Sequence, residues 1–229
     1  VLSTIAFVEE SFGAWHVKGG LGNLTTTVHQ RAVDVGVTFH LNSPVASIQT
    51  TGNKATGVVL ADGTIVNADA VIANADASLV YNKLITGHKR ALKKARKNIA
   101  NADVSVAGFS LLLGMRKDPE QVLNHHTILF PENYDAEFDA IFKEGKPVEK
   151  PTIYICAPQD ELMSKDENLE GWFVLVNAPT HGQFDWNNAE FSTKYANSII
   201  DQIEARGISV RDRLESLTIR TPADLESAV

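Results

Sequence analysis

The sequence predicts an α+β fold built from two blocks that are joined near residues 77–102. Segments with the spacing of an amphipathic helix alternate irregularly with short, strand-like runs. A helix-rich stretch over residues 77–100 separates an earlier group of these runs from a later one. The 229 residues suit one large domain or two small ones, and 44% hydrophobic residues with 21% charged residues are typical of a globular protein.

The first block should contain one clear helix, because Leu21, Leu24, Val28, Ala32 and Val35 recur at helical spacing before Gly36 ends the pattern. A strand-like entry is expected before it, and short strands after it, with a hairpin turn at Asp62-Gly63 and a final strand buried on both faces. The predicted strands are 2–9, 37–41, 45–49, 55–60, 64–66 and 69–73.

The second block should form a larger sheet with flanking helices. A long strand is expected where apolar residues nearly alternate over residues 104–115, and a helix where Phe191, Tyr195, Ile199 and Ile203 share one face. Thr221-Pro222 has the residue types that begin a helix. The remaining predicted elements are strands 127–130, 152–157, 172–178 and 217–220, a helix over 134–142, and the helix 189–206 that carries the aromatic and isoleucine face.

Composition narrows the class of protein. No apolar run reaches the ~18 residues needed to cross a bilayer. The lone cysteine, Cys156, excludes an internal disulfide and favours a reducing, cytoplasmic compartment. Because the chain opens on Val1-Leu2-Ser3 with no start or cleavage signal, we expect it to be an internal piece of a longer protein.

The net charge of −7 hides one basic segment on an acidic chain. Between His88 and Lys97 there are six basic residues and no acidic one: Lys89, Arg90, Lys93, Lys94, Arg96 and Lys97. On a helix they would cover one arc, with Leu92, Ala95 and Ile99 opposite. Such a face can be a solvated surface, or it can adsorb to an anionic membrane. A general nucleic-acid binder would carry positive charge over a whole face, so no nucleic acid is expected.

No catalytic motif is visible in the residues themselves. The Gly19-Gly20-Leu21-Gly22 turn before a helix could contact a phosphate or be an ordinary tight turn. The histidines lack metal-binding spacing, and His125 and His126 would point to opposite faces of an extended chain, so no metal site is predicted. Cys156 lies in an apolar strand and is expected to be a small packed residue.

The order of several short segments gives a resemblance to a known protein family, which the patterns above do not identify. Its first-half segments are FGAWHVKGG at 12–20, GV at 36–37, VASI at 45–48, ATGVVLADG at 55–63 and ADAVIANAD at 68–76. In the second half they are HHTI at 125–128, YDAEF at 134–138, IF at 141–142 and IYICAP at 153–158. In this order they resemble the middle of bacterial-type phytoene desaturases, FAD-dependent carotenoid desaturases of the amine-oxidase-like flavoprotein superfamily.

The resemblance implies a domain plan. Residues 20–76 would be part of a Rossmann-like FAD-binding domain, and residues 77–99 a basic helical connector. Residues 1–19 and 100–229 would form a substrate-binding domain with a mixed sheet and flanking helices. The family's GxGxxG motif, its main FAD contact, is absent from this sequence. We therefore expect the chain alone to bind FAD weakly, to be inactive and to self-associate.

The resemblance also implies cofactor contacts. Val45 would meet the adenine end of FAD through its backbone, Ala73, Asn74 and Ala75 would lie near the nucleotide-binding turn, and Gly19 and Gly20 at the domain junction. Each could instead be a packing residue. No catalytic side chain is implied, because in such enzymes the flavin performs the chemistry.

The implied reaction removes two hydrogens across a carbon–carbon bond of a polyene, so the partners expected are an apolar polyene and the membrane surface that dissolves it. The strand residues Phe109, Leu111, Phe173 and Leu175 could line an apolar tunnel or form the sheet core. Two alternatives stay open: another flavin oxidoreductase of the amine-oxidase type, and an isoprenoid-binding module without redox function.

Overall fold

The computed structural model describes residues 2–86, 89–102 and 105–228, and it confirms the α+β class. The chain forms two compact units. One unit comprises Val1–Val37 and Val106–Glu226, and the other comprises Thr38–Ser105 and Ser227–Val229. The predicted assignment of residues 20–76 to an FAD-binding domain stays a prediction.

The smaller unit is built on a three-stranded antiparallel sheet of β1 (Val45–Thr51), β2 (Lys54–Leu60) and β3 (Ile65–Asn67). The predicted turn at Asp62-Gly63 joins β2 to β3. The Thr64 amide donates to Asp62 Oδ1 at 2.8 Å, and Gly63 adopts a φ of 88°, which only glycine adopts without strain. This confirms the hairpin.

Two helical segments follow the sheet. The helix α3 (Ala77–Leu79), capped by the Asp76 carboxylate, continues as a π-helical turn over Val80–Leu84. The basic helix is α4 (Lys89–Ala100); Leu92 is buried and Lys93, Lys94 and Lys97 are exposed, as predicted.

One residue of the basic face differs from the prediction. The Arg96 guanidinium is partly buried and donates to the carbonyls of Tyr81 at 2.7 Å and Ile85 at 3.2 Å. Arg96 therefore fixes α4 to the preceding turn and does not belong to the exposed arc. His88, which opened the basic stretch, lies outside the described residues.

The larger unit contains a five-stranded antiparallel sheet in the order β5-β6-β7-β4-β8. Its strands are β4 (Ala107–Arg116), β5 (His126–Leu129), β6 (Ile153–Cys156), β7 (Leu169–Ala178) and β8 (Leu214–Arg220). All five predicted strands of this block are confirmed, although Val104, the predicted start of the longest, lies outside the described residues.

The core of this unit lies between one face of the sheet and α6 (Ala189–Glu204). Phe109 and Leu111 of β4, Val174 of β7 and Ile199 of α6 are at most 1% exposed. Alternate strand residues and one helical face therefore meet as their apolar spacing predicts.

Shorter helices complete the larger unit. α5 (Asp135–Phe138) continues as a π-helical turn over Asp139–Glu144. α7 (Pro222–Ser227) is preceded by Thr221, whose hydroxyl accepts the Asp224 amide at 3.2 Å. Near the amino terminus lie α1 (Leu2–Phe12) and α2 (Leu21–Asp34), the second ending before Gly36 as predicted.

Three predicted strands are wrong. Residues 2–9 belong to helix α1, because an apolar run this short is compatible with either structure. Residues 37–41 and 69–73 have no regular structure, and Ile72 is 94% exposed. An apolar run forms a strand only where a neighbour completes its backbone hydrogen bonds, and no strand beside either run is found in the described part of the chain.

Candidate active site

The face of the five-stranded sheet that points away from α6 is open and largely apolar. Leu112 of β4 is 40% exposed and Phe173 of β7 is 36% exposed. The two residues are directly opposed on neighbouring strands. From the sequence, four strand residues could either line a substrate tunnel or form the sheet core. Phe109 and Leu111 are core, whereas Phe173 and Leu175 lie on this open face.

A groove of about 340 Å³ runs over the open face. Its floor is formed where Gly114 of β4 pairs with Gly171 of β7, so no side chain rises from either strand there. A side chain added at Gly171 would meet no atom within 4 Å. Its other lining residues include Leu112, Phe173, Thr218, Cys156 and Met163. The groove therefore offers a mainly apolar surface that is open over Gly171, with the Ser216 side chain beside Gly114.

A buried carboxylate organises the polar end of this region. The Asp160 side chain is 5% exposed, and its Oδ2 atom accepts the Gly19 amide at 2.5 Å and contacts His16 Nε2 at 2.8 Å. Its Oδ1 atom accepts the Leu162 amide at 2.9 Å. The Gly19 amide, then His16 and the Leu162 amide, lower the pKa of Asp160 to about 2. Asp160 is therefore an anion that holds the 13–20 turn in place.

His16 connects this carboxylate to two further histidines. The His16 ring meets the His125 ring edge-on with centroids 5.0 Å apart, and His125 and His126 have centroids 4.4 Å apart. Desolvation, then the neighbouring His126 and His16, lowers the pKa of His125. The expectation that His125 and His126 point to opposite faces is wrong, because His125 lies in a bend just before β5.

Cys156 and Tyr154 complete the cluster from β6. Tyr154 Oη lies 2.8 Å from His126 Nδ1. Burial first, and then Cys156, raises the pKa of Tyr154, which keeps it a phenol. Cys156 is thus not the simply packed residue that the sequence predicts. It lines the groove and belongs to a polar cluster of His16, His125, His126, Tyr154, Cys156 and Asp160.

The residues assigned to FAD by resemblance are divided between the units. Val45 begins β1, and Ala73, Asn74 and Ala75 form exposed, irregular backbone in the smaller unit. Their peptide groups are accessible, which fits contacts made through the backbone. Gly19 and Gly20 belong to the larger unit, where the Gly19 amide already binds Asp160. The Asp160 carboxylate would repel a phosphate at this amide, because both groups are negatively charged. The cofactor contacts stay predictions.

Sequence reasoning missed the role of Asp160 and the grouping of the histidines. The residues that meet are separated by up to 144 positions. Although His16 lies in the FGAWHVKGG segment at 12–20, nothing in that segment indicates a carboxylate partner at Asp160. The available signal was the pairing of β5 with β6, which places His126 directly opposite Cys156. Pairing of these two predicted strands in that register would have brought the two residues together.

Comparison with known proteins places the chain among flavoproteins. Residues 3–135 match the family described as flavin containing amine oxidoreductase. The chain is 35% identical over 188 residues to a zeta-carotene-forming phytoene desaturase of Myxococcus xanthus, covering 81% of this chain and 35% of that protein. It is 33% identical to a lycopene-forming phytoene desaturase of a Paracoccus species, over 99% of this chain and 45% of that protein.

A third relative is also named as a carotenoid desaturase. It is a 1-hydroxycarotenoid 3,4-desaturase of a Flavobacterium species, 31% identical over 99% of this chain and 45% of that protein. The chain thus spans less than half the length of these curated relatives. In the described part of the chain, no helix has both the length and the apolar character needed to cross a membrane.

Proposed function

We propose that this chain, which belongs to the flavin-containing amine oxidoreductase family, forms part of an FAD-dependent carotenoid desaturase. The observation that carries the proposal is 31–35% identity to proteins named as carotenoid desaturases over 81–99% of the chain. The reaction removes two hydrogens across a carbon–carbon single bond of a polyene and so lengthens its conjugation.

The open sheet face is the proposed seat of the polyene. A carotenoid precursor has no charge and no hydrogen-bonding group along its chain, so its binding depends on burying apolar area at about 25 cal/mol per Å². Leu112 and Phe173 supply exposed apolar surface beside the groove. At Gly171 no atom lies within 4 Å of the position that a Cβ would take, so a thin, planar chain can come close to the β7 backbone there. These residues bind the substrate and exclude water from it.

The flavin, when bound, supplies the hydrogen acceptor for this reaction. In this chain the backbone of Val45 and of Ala73–Ala75 would contact its nucleotide part, in keeping with their exposed peptide groups. The Asp160 carboxylate holds the turn that leads into α2 through Gly19. We assign Asp160 a positioning role for this turn, because a carboxylate charge does not help to remove hydrogen from a hydrocarbon.

The basic helix is the proposed contact with the membrane in which such a substrate dissolves. Arg90, Lys93, Lys94 and Lys97 are exposed along α4. Basic residues near an anionic surface contribute about 1 kcal/mol each to adsorption. The alternative of a solvated face predicts no dependence of vesicle binding on these lysines.

Two other functions make different demands on the groove. An amine oxidase must bind a polar amine group. The groove lining is mainly apolar, and its hydrogen-bonding side chains include those of Cys156, Ser216 and Thr218. An isoprenoid-binding module without redox function would use the same apolar face but would need no flavin. The two alternatives are separated from the desaturase by their products.

The test is an assay of the whole protein with FAD and phytoene dispersed in phospholipid vesicles, read by extraction and the absorption spectrum of the polyene. The expected result is a product with longer conjugation, formed together with reduced flavin under anaerobic conditions. Peroxide release with amines would favour the amine oxidase instead. Binding of phytoene with an unchanged spectrum would favour the non-redox module.

A further inference from the structure

A compact set of metal-ligating atoms lies at the edge of the groove. One ligand atom from each of His125, His126 and Cys156 lies within 4.8 Å of the other two. The backbone fixes much of this arrangement, because His126 and Cys156 are directly paired between β5 and β6. His125 is the adjacent residue and lies in a bend. The centroids of the His125 and His126 rings are 4.4 Å apart.

The donor types select a class of ion. Imidazole and thiolate are ligands that zinc takes, and three protein ligands leave a fourth position open, as in catalytic zinc sites; copper also binds two imidazoles and one thiolate. Carboxylate-binding ions such as magnesium or calcium are disfavoured by this set, because they prefer oxygen. Bonds of about 2.0–2.3 Å require ligand atoms about 3.3–3.8 Å apart. Since the three atoms lie within 4.8 Å of one another, each pair would close by at most about 1.5 Å on an ion.

The surroundings resemble those that support a bound metal. His126 Nδ1 lies 2.8 Å from Tyr154 Oη, a contact that restrains the ring. His16, itself bound to Asp160 at 2.8 Å, packs edge-on against His125. His126 is exposed, so solvent ions have a path to the site.

We propose that His125, His126 and Cys156 bind a single zinc-class divalent cation. The Cys156 thiol releases its proton to solvent as its sulfur binds the ion, and water occupies the fourth position. The ion would join the bend before β5 to β6 and add a fixed positive charge beside the groove. The inference does not depend on the proposed desaturase function.

The test measures Zn²⁺ affinity by competition with a chromophoric chelator, together with zinc-edge X-ray absorption of the loaded protein. We expect one zinc per chain with one sulfur neighbour at about 2.3 Å and nitrogen neighbours at about 2.0 Å. Cys156→Ser, a nearly isosteric change, should remove the sulfur signal and weaken affinity at least about 10-fold. His126→Asn should weaken affinity to a similar degree.

The matched control is His40→Asn, which changes an exposed histidine in the other unit and should leave zinc affinity unchanged. Circular dichroism of each variant keeps a folding defect from being read as lost binding. Tyr154→Phe provides a milder variant that keeps all three ligands and should weaken affinity less than Cys156→Ser. A bound zinc without a sulfur neighbour, or equal affinity in wild type and Cys156→Ser, would overturn the proposal.

Discussion

Asp160 accepts the Gly19 amide at 2.5 Å across 141 positions of sequence. The same oxygen contacts His16 at 2.8 Å, so one carboxylate holds both ends of a short segment before α2. The other Asp160 oxygen caps the short helical turn Glu161–Met163 through the Leu162 amide. The turn at 13–20 is therefore fixed to the loop that follows β6, beside the groove.

The first prediction concerns the charge of this carboxylate. Asp160→Asn should destabilise the protein at about pH 6, because the charged form is the one that the Gly19 amide and His16 stabilise. The folded pKa of Asp160 is lowered from 3.8 to about 2, so this stabilisation is complete above about pH 4 and is lost as the pH falls towards 2. The difference in unfolding free energy between wild type and variant should shrink over that window.

Urea unfolding of both proteins between about pH 6 and pH 3 measures this difference. Asp212→Asn is the control, since Asp212 is exposed and belongs to the same unit. It should change the unfolding midpoint little at about pH 6. A wild-type–variant difference for Asp160 that did not vary with pH would contradict the assignment of the charge.

A second prediction concerns a carboxylate that is buried in the larger unit. Glu137 is 1% exposed, and its two oxygens accept the Thr152 amide at 2.7 Å and Asn177 Nδ2 at 2.8 Å. Glu137→Ala leaves both donors without this acceptor, and an unsatisfied buried group costs about 1–3 kcal/mol. We therefore expect a loss of about 3 kcal/mol in unfolding free energy.

Denaturant unfolding is the measurement, and Glu144→Ala is the control. Glu144 is exposed and pairs with Lys146 at 3.3 Å, a surface ion pair expected to contribute about 0–1 kcal/mol. Glu137→Gln keeps one acceptor and should fall between the two. Similar losses for Glu137→Ala and Glu144→Ala would show that the buried network contributes no more than a surface pair.

The sequence predicts correctly those helices and strands whose apolar face packs against another element of this chain. The helix with Tyr195 and Ile199, and strands such as β4 and β7, have both the pattern and the partner that buries it. Residues 69–73 carry an equally apolar pattern but lack a neighbouring strand among the described residues. Pattern alone does not distinguish these cases, because burial depends on what packs against the segment.

The polar cluster was less predictable for a different reason. His16, His125 and Asp160 each come from irregular segments, and the spacing of such segments carries no period. Only the His126–Cys156 pairing follows from strand register. The FAD contacts at Val45 and Ala73–Ala75 rest on resemblance and stay predictions, as does the domain boundary near residue 20.

The third prediction tests the groove with a change that the fold should tolerate. Gly171→Val places a β-branched side chain on β7, where no atom lies within 4 Å of the new Cβ. Valine suits a strand better than glycine, so stability should be kept or slightly raised. The side chain would rise from the groove floor, and polyene conversion by the whole protein should fall about 10-fold or more, because ~1.4 kcal/mol of lost binding has that effect.

Gly182→Val is its matched control, because that position also has open space around it and does not line the groove. Both variants should melt near the wild-type temperature, and only Gly171→Val should lose polyene conversion. Unchanged conversion by Gly171→Val would remove the groove from the proposed substrate path. Reduced conversion by both variants would point to a general effect of valine and not to the groove.

The last prediction concerns the exposed face of α4. Changing Lys93, Lys94 and Lys97 together to Glu reverses three charges on residues that are exposed and leaves buried Leu92 and partly buried Arg96 in place. Each basic residue near an anionic surface contributes about 1 kcal/mol to adsorption. The affinity for phosphatidylserine vesicles, measured by sedimentation at low salt, should therefore fall by about two orders of magnitude. Added salt should also weaken wild-type binding, since the interaction decays over a Debye length of about 10 Å at 0.1 M.

A control with Lys150, Lys165 and Lys194 changed to Glu makes the same change in net charge at exposed positions of the other unit. If α4 is the membrane contact, this control keeps most of its vesicle binding. If both triple variants lose binding equally, the attraction comes from net charge, and α4 is a solvated face.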